Sequence, residues 1–169
     1  MSRILPIVFL FLPGCMLGLP GNAKPPQQDE YATMDWVIDE WQARGLGGFG
    51  ARCEHEYDHM RIAHAGGDQL VDYCGGCQPG QCAAGKCDFC VAGCYQRVYS
   101  ITIWPWGFAG PDRPLITVAS AYAAPLATVA HETLHWLGDC TKRGRDGHHK
   151  DLVRWSIADD YWDVLDPEK

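Results

Sequence analysis

Basic residues are scarce in this sequence of 169: 14 Lys and Arg stand against 21 Asp and Glu, a net charge of −7. With so little positive charge to neutralise phosphates, nucleic acid is excluded as a partner. No stretch supplies the about 20 apolar residues that a membrane-crossing helix requires. Methionine does not occur after Met60, no glutamate lies between Glu132 and Glu168, and no internal repeat is visible. The cysteine spacing of ferredoxin iron–sulfur sites is also missing. What the chain does have in excess is cysteine, nine residues, and tryptophan, seven. Its 47% hydrophobic content suits one globular domain with a core and excludes a disordered chain.

Residues 1–14, MSRILPIVFLFLPG, place Arg3 before an apolar run from Ile4 to Leu12. That is the pattern of a signal peptide. The run ends in Leu12-Pro13-Gly14-Cys15, which resembles the lipobox of bacterial lipoproteins, although Pro13 is an unusual occupant. The resemblance implies cleavage before Cys15, which then carries a lipid anchor and holds the protein at the bacterial cell envelope. Membrane contact would come through that anchor alone. The rival site is after Gly21-Asn22-Ala23, which would release a secreted protein without Cys15. Either route removes Cys15 from pairing, so nine less one leaves eight: Cys53, Cys74, Cys77, Cys82, Cys87, Cys90, Cys94 and Cys140. An even number in an exported chain reads as disulfides.

Residues 15–28, rich in Gly and Pro, read as a tether, and 29–169 as a single domain. Tyr31, Met34, Ile38 and Trp41 recur at helical spacing and predict a helix over 29–44. Residues 51–64 alternate loosely, as an exposed strand would, and His55, His59 and His64 have no spacing that would fix three donors on one metal. Residues 74–94 hold six cysteines among Gly, Pro and Ala and read as a disulfide-stapled lobe inserted into the domain. Cys74-x2-Cys77 and Cys87-x2-Cys90 also have zinc-knuckle spacing, with a shorter gap between the pairs than usual. If the six pair among themselves, Cys53 is left for Cys140. Two strands follow, 97–104 and 115–119, and a last helix over 151–165 is expected to turn Leu152, Trp155, Tyr161 and Trp162 inward.

The chemistry sits in His131-Glu132-Thr133-Leu134-His135, an HExxH pattern. It lies inside a helix that Pro125 opens and Gly138 closes. At about 100° per residue, Leu126, Ala130, Leu134 and Leu137 form the core stripe, and the two histidines fall together facing away from it. A spacing of four lets two imidazoles converge on one ion, with Glu132 one step round the helix, where a metal-activated water would lie.

Together with the preceding strand and the export signal, residues 97–149 resemble the zincin metallopeptidases, in which the metal-binding helix follows a small sheet whose edge strand lies beside the substrate. The resemblance implies an α+β fold: an N-terminal helix, a small mixed sheet, an active-site helix and a C-terminal helix, with the cysteine-rich lobe inserted. It also implies one Zn2+ per chain held by His131 and His135, with Glu132 as the catalytic base. Peptide or protein would be the substrate. Zinc would lower the pKa of water from about 16 to about 7. His131-x-x-x-His135-x-x-Gly138 looks like the start of the metzincin motif, whose glycine lets the chain turn back under the metal. Thr141 stands where that branch has its third histidine, and its methionine turn has no counterpart. Three residues compete for the third ligand. Asp139 would need a sharp reversal at Gly138, whereas the polar loop 140–147 can fold back and deliver His148 or His149. His149 is favoured, completing a three-imidazole shell, with Asp146 and Asp151 as acceptors for a ring N–H. Two other readings stay open. One is an anchored cysteine-rich binding or adhesive module with a structural or vestigial zinc site, and the other a zinc hydrolase acting on a non-peptide bond.

Overall fold

The computed structural model describes residues 19–66, 68–74, 92–98, 113–120, 124–144 and 149–165. The leader, Cys15, most of the cysteine-rich lobe, residues 99–104 of the first expected strand, Asp146 and His148 lie outside them. The architecture is α+β. In chain order come α1 (Gln28–Ala43), α2 (Ala51–Asp58), β1 (Arg61–Ala65), α3 (Asp68–Cys74), β2 (Gly93–Val98), β3 (Arg113–Ala119), α4 (Pro125–Cys140) and α5 (Leu152–Leu165).

The helix expected at 29–44 is α1. Glu30 in its first turn accepts the Gln27 backbone N–H at 2.6 Å, satisfying a donor that no helical carbonyl can reach. Its stripe of Met34, Val37, Ile38 and Trp41 is buried against α4. Residues 51–58, expected as a strand, are instead the helix α2. Its two buried residues are Cys53 and Glu56, three apart, the spacing of one helical face. Neither is buried for hydrophobic reasons: Cys53 is bonded to Cys140, and the Glu56 carboxylate takes hydrogen bonds from Arg52, Arg97 and Trp136. The extended chain begins only with β1.

The three described strands form a mixed sheet in the order β1-β3-β2. β1 pairs parallel with the central strand β3, in register Ile62↔Ile116, and β2 pairs antiparallel with it, in register Tyr95↔Ile116. β2 starts at Gly93, four residues before the expected strand, because its first residues belong by composition to the cysteine lobe. The Cys74–Cys94 disulfide ties the end of α3 to this strand, so the lobe is closed at its base. Residues 19–27, read as tether, lie on the domain. Lys24 and Ile62 exchange backbone hydrogen bonds at 2.9 and 2.8 Å, and Leu19 and Ala23 pack on Ala63, Val98 and Leu115.

α4 runs to Cys140, past the stop expected at Gly138, and is buried on most of its circumference, with Trp136 wholly enclosed. α5 packs on it through Arg154, Trp155, Ile157 and Tyr161. Leu152 is 79% exposed and Trp162 42% exposed, so these two do not turn inward as expected. Arg154 takes the inner position instead. Its Nη1 donates to the Gly144 carbonyl at 3.2 Å, and its guanidinium lies over the Trp41 ring.

Candidate metal centre

His131 and His135 stand one turn apart on α4, and their ring centroids are 5.2 Å from each other. The chain must then reverse to bring a third donor. It does so through Lys142 and Gly144, both with positive φ (62° and 93°), and the Gly144 N–H donates to the Gly138 carbonyl at 2.8 Å. A Cβ on Gly138 would lie 2.6 Å from the Gly144 carbonyl oxygen. The glycine is needed for this close approach, not for a left-handed helix stop.

The returning chain places His149 against the pair, with centroids 4.8 Å from His131 and 5.5 Å from His135. One ring nitrogen from each of the three histidines lies within 4.8 Å of the others. Donors that share one zinc lie within about 4 Å of each other, so closure by under about 1 Å would seat an ion. Three imidazole nitrogens are donors that zinc and other first-row metal ions accept. Burial, with a smaller contribution from the His149 charge, pushes the His131 pKa down to about 4, which keeps that ring in the neutral form a ligand must have.

Glu132 lies beside this triad but on the sheet side of α4, only 5% exposed. Burial pushes its pKa up to about 8, opposed by a hydrogen bond from the backbone N–H of Tyr95 on β2. A Cβ on Gly93 would lie 2.4 Å from the Thr128 methyl and 2.5 Å from the Thr117 carbonyl oxygen, with the Glu132 side chain just beyond at 3.6 Å. β2 thus comes close to the helix where the glutamate sits because position 93 has no side chain.

Among the described residues the histidine cluster does not include Asp139. That carboxylate faces β2, where it accepts hydrogen bonds from the Tyr95 hydroxyl at 3.1 Å and from Arg97. Arg97 also pairs with Glu56, and Glu56 accepts from the Trp136 indole N–H at 3.0 Å. This buried polar chain, with the Cys53–Cys140 disulfide, clamps the C-terminal half of α4 to α2 and β2. Asp151 caps α5 by accepting the Arg154 N–H at 3.2 Å, and it pairs with Arg143 at 2.7 Å. His55 is on α2 and His59 is its C-cap, whereas His64 stands on β1. It pairs with Glu30 at 2.7 Å, while the other two stack on α2 with centroids 4.4 Å apart.

Three contributors are not legible in the spacing of the motif. Gly93 sits among lobe residues, Glu56 looks like a surface residue, and Trp155 reads only as core. Trp155 in fact packs on all three imidazoles, at 4.7 Å from His131, 4.8 Å from His135 and 4.1 Å from His149. Its inward position at the start of the last helix was the only available sign. No protein family, no curated protein and no solved structure matches this chain.

Proposed function

We propose that this protein is an exported zinc-dependent metallopeptidase of zincin type. The observation that carries the reading is the meeting of His149 with the i, i+4 pair His131 and His135, with Glu132 next to them on the same helix. Three neutral imidazoles would hold the ion and leave a fourth tetrahedral position open, as catalytic rather than structural sites do. Bound there, zinc supplies Lewis acidity to a water molecule and to the scissile carbonyl.

The remaining work belongs to the chain. Glu132 accepts a proton from the attacking water and returns it to the leaving amine. Its position against the Tyr95 N–H fixes the carboxylate, and its burial excludes bulk solvent from the proton it holds. β2 is an antiparallel edge strand among the described residues and runs beside α4, and an extended peptide would lie along it. This is where the zincin resemblance puts substrate. The two disulfides among the described residues suit an oxidising compartment, and the leader-like residues 1–14 would supply the address.

Metal analysis of the purified protein is expected to give one zinc per chain. Glu132→Gln is expected to retain that zinc and to lose peptide hydrolysis by 10²-fold or more, on the order of general-base contributions. A hydroxamate that binds the wild type would mark the open position and separate the enzyme from an adhesive module. Loss of zinc in Glu132→Gln, or full activity without the carboxylate, would overturn the assignment of roles.

A further inference from the structure

Metal-binding histidines are usually aimed by a hydrogen bond from the second ring nitrogen to a carboxylate or carbonyl. Here the rings of His131 and His149 make no hydrogen bond among the described residues. What they share is one neighbour. The Trp155 indole meets His131 at an interplanar angle of 34°, His149 at 46° and His135 at 60°, with all three centroids within 4.8 Å. Aromatic rings at such separations lock one another's orientation by contact.

The indole is itself firmly held. Trp155 is buried, and its backbone N–H donates to the Asp151 carbonyl at 3.0 Å in the first turn of α5. Asp151 caps that turn and pairs with Arg143. Next to Trp155, Arg154 anchors on the Gly144 carbonyl and over Trp41. Residues 149, 151 and 155 therefore form one short unit of ligand, cap and plate, delivered to α4 as a body.

We propose that Trp155 is the positioning residue of the metal centre, an aromatic plate that aims all three imidazoles and backs the ion with an apolar surface. The proposal rests on the metal-site reading above. Its consequence is that metal affinity and coordination geometry depend on a ring at position 155 that is not itself a ligand. An apolar backing also keeps water from competing for the rear of the site.

The test titrates chelator-stripped protein with Zn2+ against a chromophoric chelator and records the visible absorption of the Co2+ form. Wild type, Trp155→Phe and Trp155→Leu are compared, with Trp162→Phe as the control for tryptophan loss on the exposed side of the same helix. Trp155→Leu is expected to weaken Zn2+ binding by about 10–100-fold, the range for partners that orient ligands, and to change the Co2+ band. Trp155→Phe, which keeps a ring, is expected to stay within a few-fold of wild type, as is Trp162→Phe. Circular dichroism of the metal-free forms identifies a variant that has not folded, and Trp155→Phe then carries the comparison through its Co2+ spectrum. A wild type that binds neither metal would sink the metal-site reading itself. A wild type that binds both, with Trp155→Leu folded, of unchanged affinity and with an unchanged Co2+ band, would overturn the role of Trp155 alone. Equal loss in the Phe and Leu variants would overturn it too.

Discussion

His149 has φ 51°, a left-handed conformation in which the Cβ of an ordinary residue crowds the next carbonyl at a cost of about 1–2 kcal/mol. The strain coincides with the one turn that brings a third imidazole onto the His131–His135 pair. In metal-free protein, His149→Gly is therefore expected to be more stable than His149→Ala by about 1 kcal/mol, although both remove a ligand and lower zinc affinity alike. Urea unfolding of the two variants in chelator checks this, and equal midpoints would show that the backbone there is not strained. In sequence terms, residue spacing made the loop long enough to return and made His148 and His149 candidates. It favours His149, which the structure brings onto the pair, but does not reveal the left-handed backbone angle with which that residue does so; His148 lies outside the described residues. The HExxH pair needed no such information, since a helix alone fixes its geometry.

Between β2 and α4 the contact is close enough to be governed by one missing side chain. Gly93→Ala would put a methyl 2.4 Å from Thr128 and 2.5 Å from the Thr117 carbonyl oxygen, and the backbone oxygen cannot give way cheaply. The expected cost is about 1–3 kcal/mol of stability. If the chain is the zinc hydrolase proposed above, hydrolysis should fall further than zinc content, because the displaced strand takes the Tyr95 amide away from Glu132 and carries none of the three imidazoles. Denaturation curves and metal analysis of the variant separate the two effects. The elements themselves were legible where burial follows hydrophobicity, as in the stripe of α1 and in α4 and β3. They were illegible where it does not. α2 buries a cysteine and a glutamate, so its face shows no apolar period, and α5 turns Arg154 inward while Leu152 faces solvent. β2 was hidden at its start by cysteine-lobe composition.

The assembly is held across long stretches of sequence. The Cys53–Cys140 bond closes a separation of 87 residues, which in the chain-entropy treatment contributes about 4.6 kcal/mol, a large share of a typical domain's 5–15 kcal/mol or so. Two tyrosines at the helix packing make the fold sensitive to alkali. Burial raises the pKa of both Tyr57 and Tyr95, helped by hydrogen bonds to Asp35 and Asp139. The unfolded chain ionises them near pH 10 or so while the folded state keeps their protons. Their contribution is thus complete below about pH 10 and is lost as pH rises past it. Melting temperature should fall there, and Tyr57→Phe should flatten the fall; an unchanged slope would remove Tyr57 from the account. The first described residues bear on the cleavage sites that the leader reading proposes. Leu19 and Ala23 pack on Ala63, Val98 and Leu115, the Asn22 side-chain amide donates to the His64 carbonyl at 2.8 Å, and Lys24 pairs with Ile62. Cleavage after Ala23 would remove all of these but the last, whereas cleavage before Cys15 keeps them. Two partly buried apolar side chains and a hydrogen bond contribute roughly 1–3 kcal/mol. A chain beginning at Lys24 is therefore expected to unfold at lower urea than one beginning at Cys15, and the mass of the mature protein is expected to include Leu19–Ala23. Coincident unfolding curves would mean that the strap is not part of the stable fold, and the stability argument for the upstream cleavage site would lapse.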